Sequence, residues 1–309
     1  MNKESYKISV VMTTYNGEKY IQNQLSSIFN QTMKIDEVLI FDDVSDDDTV
    51  NIIENFIKDN KLTNWHLFIN IKNVGWEKNF VNGISHASGD IIFLSDQDDI
   101  WIENKIEYMV KILEDNTDIG LLASNIKVKY EDRNQVRVKD ALKKYGTNEI
   151  EKVHLNGKTF RPIRPGCSYA FRDKYVKLLK KYWFAGCPHD AMLWALALLN
   201  EELFIVNMPL IIQLRHEGTN TPICKKDVES RCNNLAFRSK LAQYLANKFA
   251  YIDDEKKEWL MKYSQIADTR IKAMRGHDPF ALFCMIRWIK YYPKLISWGG
   301  DIAIVIKGK

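Results

Sequence analysis

The densest chemistry in the chain lies in residues 93–101, FLSDQDDIW, where an apolar run ends and Asp96, Asp98 and Asp99 follow almost together. Carboxylates this close repel and raise one another's pKa. Ile100 and Trp101 behind them are expected to bury part of the turn. Burying adjacent carboxylates is costly unless a cation or hydrogen-bond donors answer them. A hard divalent cation, Mn²⁺ or Mg²⁺, takes oxygen ligands and commonly joins one or two carboxylates to substrate phosphates. The bland alternative is a solvated turn with an aspartate capping the next helix, and for Asp99 that alternative stays open.

Three other loops are similarly polar: TTYNGEKY (13–20), DDVSDDDT (42–49) and NVGWEKN (73–79). Asp and Asn are common turn formers, so any one loop says little; four in succession suit a cleft for a polar ligand. The second places Asp43, Ser45, Asp47, Asn51 and Glu54 at the spacing of a calcium-binding helix–loop–helix. Its sixth position, however, is Asp48 where the sharp turn needs Gly, and a strand precedes it, so calcium is rejected. Asp46, Asp47 and Asp48 are expected at a helix N-terminus, where carboxylates cap free N–H groups.

The elements that must position these loops alternate in period. KISVVM, EVLIF, HLFINI, DIIFL and IGLLA are apolar strands. Between them Ile21, Leu25 and Ile28, then Ile53, Phe56 and Ile57, then Trp76, Phe80 and Ile84, then Ile102, Ile106, Val110 and Leu113 recur at helical spacing. Such alternation predicts an α/β fold with a mostly parallel sheet covered on both faces. Ligands then sit beyond the carboxyl ends of the strands, where all four loops fall. From about Lys127 to Pro165 a charged, weakly periodic stretch is expected to make an excursion over one sheet edge. PHDAMLWALALLN is expected to be a helix, LFIVNMPLIIQLRHEGTN a set of short strands, and the chain after Lys225 mainly helical.

The composition, 46% hydrophobic and 27% charged in 309 residues, supplies a substantial core. A net charge of +4 is too slight to argue for a nucleic-acid partner. The 5 cysteines form no CxxC pair, as expected of free thiols in a reducing compartment. No run reaches the ~20 apolar residues of a membrane span, and the start lacks the apolar stretch of a signal peptide. A cytoplasmic protein is expected, or one peripheral on the cytoplasmic face of the membrane.

Taken in order, ISVVMTTYNGEKYI, QT, DEVLIFDDVSDDDT, the N-x-G of NVG and GDIIFLSDQDDIW resemble the nucleotide-sugar domain of family 2 glycosyltransferases. They resemble in particular the bacterial rhamnosyltransferase-like branch, where a DQDDxW segment is usual. The resemblance implies a GT-A fold: a Rossmann-like, mostly parallel mixed sheet flanked by helices over 1–224, with a helical extension over 225–309. The donor half would span about 1–124 and the acceptor half about 125–224.

Further implications follow from the same resemblance. Thr13, Tyr15 and Asp42 would hold the base of a UDP- or dTDP-sugar, with Asn16, Glu18, Asn73, Lys78, Asp96 and Gln97 as further donor contacts. Asp98 would bind Mn²⁺ or Mg²⁺, with His216 of LRHEGTN completing the site and Arg215 offsetting diphosphate charge. Asp190 of PHDAMLW would be the catalytic base, unless it serves as a helix N-cap after Pro188; the chemistry needs such a base, since an acceptor hydroxyl must lose its proton. Gly166, Trp101 and His189 would face a glycan or lipid-linked acceptor. Three positions depart from the family: Val44 stands where Gly is usual, the Pro usual near Met12 is missing, and His189 replaces a common acid.

From Ile286 onward 5 cations oppose only Asp301, among many aromatic residues. This tail suits either a membrane surface or a helical hairpin packed on the catalytic domain or a second subunit of a homo-oligomer. The competing readings are a non-catalytic sugar-nucleotide-binding subunit, a nucleotidyltransferase and a haloacid-dehalogenase-like phosphatase. The last needs DxD after the first strand, and TTYNGEKY is a poor phosphate loop for a nucleotidyltransferase. Presence of both Asp98 and Asp190 argues against a non-catalytic subunit.

Overall fold

The computed structural model describes residues 6–131, 149–216 and 227–307, which divide into two units. The first, drawn from Met1–Val153, Arg164–Ala197 and Glu201–Gly218, alternates strand and helix as the periodicity predicts. Its elements are β1 (Ile8–Thr14), α1 (Ile21–Phe29), β2 (Glu37–Asp42), α2 (Thr49–Asp59), β3 (Trp65–Ile69), α3 (Trp76–His86) and β4 (Ile91–Ser95). There follow β5 (Asp99–Trp101), α4 (Lys105–Asp115), β6 (Leu121–Tyr130), β7 (Ile150–Lys152), β8 (Tyr169–Arg172), α5 (Lys174–Tyr182), α6 (His189–Leu199) and β9 (Leu203–Arg215).

These strands make one 9-stranded mixed sheet in the order β3-β2-β1-β4-β8-β6-β9-β5, with β7 also on β9. β1, β2, β3 and β4 are parallel, β8 runs antiparallel between β4 and β6, and β6 is parallel to β9. Two reversals through β8 restore direction. The carboxyl ends of β1, β2, β4, β6 and β9 therefore share one edge. β1 and β4 are buried along their whole length, which is why they are continuous apolar runs.

Local differences have physical causes. Residues 203–215 form one 13-residue strand, because irregular register at Asn125 lets β6 follow β9 past Pro209. Ile102 precedes α4, since residues 99–101 pair with β9 before the helix begins. β6 runs to Tyr130 and β7 pairs with β9, so the expected excursion at 127–165 holds strand at 127–130 and 150–152 and none over 153–165; residues 132–148 lie outside the described residues. Val44 has φ +67°, a left-handed conformation that strains a β-branched residue. The glycine usual in the family would take it freely.

The second unit comprises His154–Ile163, Leu198–Asn200 and Thr219–Lys309. It holds α7 (Val228–Lys248), α8 (Asp254–Arg275), α9 (Pro279–Cys284), a 3-10 segment (Met285–Tyr291) and α10 (Leu295–Ile306). Asp227, Asp253 and Asp278 cap α7, α8 and α9 by accepting from Ser230, Lys256 and Ala281 N–H groups. Gly157 is required for space: a Cβ there would meet the Tyr291 carbonyl oxygen at 2.6 Å.

Asp301 of α10 is buried and ion-paired with Arg231 of α7 and, at 2.7 Å, with Arg270 of α8. The Arg270 guanidinium also lies 3.8 Å from the Tyr292 ring centroid. Removing the one carboxylate leaves a buried guanidinium without compensation. Asp301→Ala is expected to destabilise the helical unit by about 3–5 kcal/mol. A lower urea midpoint checks this; an unchanged midpoint would show that the network contributes nothing.

Candidate active site

The strand-end loops are braced to one another before they can hold anything else. Gln97 grips the backbone of Tyr15 from both sides: Oε1 accepts from its N–H at 2.8 Å and Nε2 donates to its carbonyl at 3.0 Å. Asn16 Oδ1 accepts from Asp46 N–H, and Glu18 accepts from Asp48 N–H while donating its own N–H to Asp47. Asn16, Glu18 and Gln97, expected as donor contacts, thus serve as ties between loops here. Asp48 sits at the N-cap of α2 without a side-chain cap, whereas Asp47 accepts from Thr49 N–H, so only part of the acidic triplet caps as expected.

A Cβ at Gly17 would lie 2.5 Å from Gln97 Oε1. Gly17→Ala is therefore expected to push Gln97 off Tyr15, losing two hydrogen bonds and raising by about tenfold the KM for the sugar nucleotide that the family resemblance implies. Steady-state kinetics in donor check it; an unchanged KM would show that the clamp is dispensable.

Asp42, implied as a base contact, is engaged within the protein. It is 0% exposed, and its oxygens accept from Thr14 Oγ, Ser45 Oγ and Ser45 N–H. These bonds anchor the following loop. Asp43 is likewise occupied, by Asn70 and the Val74 and Gly75 N–H groups, while Asn73 donates to its carbonyl. Tyr15 is half exposed, Lys78 is exposed in the first turn of α3, and Thr13 is nearly buried.

α1 fixes the acidic segment. Gln24 donates to Ser95 Oγ, Ser27 accepts from Trp101 N–H, and Gln31 donates to Ile102 O while accepting from Ile106 N–H. Sequence reasoning missed this brace. Its signal is polar Gln24 and Ser27 on a helix otherwise read for its apolar face, with Gln31 just past the helix end.

So held, Asp98 meets His216 from the end of β9, with Nε2 2.9 Å from Oδ2. The imidazole stacks on the Tyr20 ring at 4.2 Å, and Tyr20 OH and Lys19 both donate to Glu131 at the end of β6. Both proposed metal ligands are thus brought together, and Glu131 is an unforeseen neighbour.

Behind them Asp96, Asp99 and Cys167 place ligand atoms within 4.8 Å of one another, a set able to hold a metal ion. Burial, then the charges of Asp98 and, less, Asp190, push the Asp96 carboxyl up to about 7. Burial, then the charges of Asp96 and Asp98, drive Asp99 well above the carboxylate range. Asp99 caps nothing, since the N-cap of α4 is Asn104. It is 1% exposed and neither oxygen has a hydrogen-bond partner among the described residues.

Lys105 answers this charge. Its ammonium is buried, donates to Cys167 O at 3.0 Å and lies 3.4 Å from the Trp101 ring centroid. Burial pulls its pKa down to about 7 against the pull of Asp99 and Asp96. Trp101, expected on the acceptor side, is 2% exposed and covered by that lysine, so it packs the site from below.

Asp190 lies in the first turn of α6. Met192 N–H donates to Pro188 O, so the helix opens at His189 and Asp190 does not cap it. Burial raises its carboxyl to about 6, against the Ala191 N–H it accepts at 2.7 Å. Gly166 makes room for it: a Cβ there would be 2.9 Å from Asp190 Cβ. His189 is enclosed, stacked on Phe80 at 3.9 Å, with burial holding it neutral at about 3. Expected on the acceptor side, it is buried against α3. The half-exposed Trp76 ring stands edge-on to it at 5.8 Å.

The order Asp190, Asp96, Asp98, His216 thus joins a carboxylate poised to accept a proton to a carboxylate–imidazole pair. Against known proteins, the sequence model described as Glycosyl transferase family 2 matches residues 9–179, more than half of the chain. The dTDP-rhamnosyl transferase RfbG of Shigella flexneri is 29% identical over 226 residues, covering 67% of this chain and 72% of that protein. The glucosyltransferase WfgD of Escherichia coli, named for UDP-Glc and a diphosphoundecaprenol acceptor, is 32% identical over 128 residues, 40% of this chain and 47% of its own. Among solved structures, TarS 1–349 of S. aureus with UDP-GlcNAc superposes with TM-score 0.61 at 17% identity, covering 98% of this chain and 91% of that one. The Pyrobaculum calidifontis mannosyltransferase PcManGT with GDP-Man and Mn²⁺ gives TM-score 0.55 at 17% identity, with 98% and 86% coverage. The fold is that of these transferases, an α/β GT-A architecture with a helical C-terminal region.

Proposed function

The chain belongs to glycosyl transferase family 2, and from that premise we propose an inverting transferase that uses a UDP- or dTDP-sugar. The acceptor is a hydroxyl of a glycan, lipid-linked or protein-linked, in bacterial surface polysaccharide or glycoconjugate synthesis. The names of the Shigella and Escherichia relatives support the donor and lipid-linked acceptor classes. The observation that carries the reading is the Asp98–His216 contact beside Asp96, whose carboxyl feels the charges of both Asp98 and Asp190.

Asp190 takes the proton of the acceptor hydroxyl as its oxygen bonds to the anomeric carbon. The bond from that carbon to the nucleoside diphosphate breaks on the opposite face, so configuration inverts. A pKa near 6 leaves the carboxylate ionised at neutral pH yet basic enough to accept the proton. Tyr15 offers its exposed ring to the base, with Thr13 and Asn73 as further contacts to the donor, and Lys78 offers a cation to the phosphates.

The residues present fit a divalent cation: a carboxylate oxygen and an imidazole nitrogen already in contact, with orphaned Asp99 oxygens behind. Asp98 and His216 would hold it, with Asp96 nearby. Such an ion supplies charge neutralisation for the diphosphate leaving group.

Donor hydrolysis and transfer with a panel of UDP- and dTDP-sugars, with and without Mn²⁺, test the reading. Turnover of one donor class by the folded protein is expected. No turnover of any nucleotide sugar would overturn it in favour of the non-catalytic subunit.

A further inference from the structure

α10 presents two unlike faces. Its one charged residue, Asp301, is turned inward to Arg231 and Arg270, and Ile304 and Val305 are buried with it. The outer face carries no charge at all: Leu295 is 61% exposed, Ile296 80% and Ile306 68%. α9 extends this surface, because Phe283 packs on Trp298 at 5.8 Å while itself 58% exposed, and Phe280 is 76% exposed. Scattered exposed apolar residues are ordinary, but a continuous uncharged face on adjoining helices calls for a covering surface.

The rim of that face is cationic. Lys294 and Lys307 stand at the two ends of α10, and Arg287 and Lys290 are exposed on the 3-10 segment between the helices. Between Pro279 and Lys307 these 4 cations meet one acid, Asp301, which is already neutralised within the unit. A second copy of this chain would bring the same positive rim against itself, whereas anionic headgroups complement it. α10 has 12 residues, about 18 Å of helix, against the ~30 Å of a hydrocarbon core. No helix among the described residues is long and apolar enough to cross a membrane. A short apolar face with lysines at both ends suits a helix lying in the headgroup plane, rings and aliphatic chains down, ammonium groups in the phosphate layer.

We infer that the outer face of α9 and α10 docks the protein on an anionic lipid surface, with Phe280, Phe283, Leu295 and Ile296 entering the interface and Lys294 and Lys307 meeting headgroups. The inference stands on the helical unit alone and does not rest on the transfer reaction, so either can fail without the other. It would let a soluble sugar nucleotide meet a lipid-linked acceptor at the bilayer.

Flotation of the full chain with vesicles tests it without any substrate. Binding to equimolar phosphatidylcholine and phosphatidylglycerol, its loss on pure phosphatidylcholine and its weakening by salt are expected. Lys294→Glu is expected to cut partition by roughly tenfold, and Ile296→Glu by at least as much. Both positions are exposed, so circular dichroism should match the parent chain. No flotation with the anionic vesicles at low salt would overturn the inference, as would flotation unchanged in both variants. A dimer that Ile296→Glu dissociates, without vesicle binding, would assign the face to a second copy instead.

Discussion

Asp190→Asn is expected to lower kcat by about 10²–10⁴ while leaving the donor KM near its parent value. The amide keeps the shape of the side chain and the acceptor of the Ala191 N–H, but cannot take a proton. In the parent enzyme, kcat/KM should fall as pH drops through about 6, because burial raises the carboxyl to that value and only the ionised form accepts the proton. The variant should lose that limb of the profile along with its rate. Full activity in Asp190→Asn would remove Asp190 as the base; a profile unchanged in shape at a lower rate would make it a positioning residue. Thermal stabilisation by UDP, present in both proteins, separates lost chemistry from lost donor binding.

Strand–helix alternation was legible because the central parallel strands β1 and β4 are buried on both faces and each helix on one, so period separates them; β3, at the sheet edge, is buried only in part. The shared carboxyl edge followed from that arrangement, and with it the convergence of 13–18, 42–48, 73–79 and 96–98. What the sequence concealed were contacts between residues distant in the chain. Lys105 belongs to the helix whose periodicity was read through Ile102 and Ile106, and nothing local says that its ammonium is folded under Trp101 beside Asp99. Asp42 and Gln97 carry the right side chains for a ligand, yet their hydrogen bonds go to the protein's own loops. A residue type shows what a side chain can bind; only the fold shows whether that capacity is already used. The same limit left open whether Asp99 caps the next helix: a three-residue pairing with β9, invisible to periodicity, turns it inward.

Chelation and Asp98→Ala are expected to have effects as large as loss of the base. Neutralising a diphosphate leaving group supplies several kcal/mol to such a reaction, and about 1.4 kcal/mol corresponds to tenfold in rate. Asp98→Ala should therefore cost at least about 10²-fold in kcat, and chelator should bring the parent to the same level. His216→Asn distinguishes a ligand from a mere ion-pair partner. An imidazole beside a carboxylate favours Mn²⁺, whereas an all-oxygen set suits Mg²⁺, so the variant should lose Mn²⁺ affinity by roughly tenfold and keep more of its rate with Mg²⁺. Free Mn²⁺ counted by electron paramagnetic resonance reads this without turnover. Tyr20→Ala should move in the same direction, since its ring and the Glu131 bond behind it hold the imidazole against Asp98. If chelator leaves the rate intact and neither variant alters Mn²⁺ binding, then Asp98 and His216 are a structural pair, and leaving-group charge must be met by cations of the chain itself, such as Lys78 in the first turn of α3 and Arg215 at the end of β9.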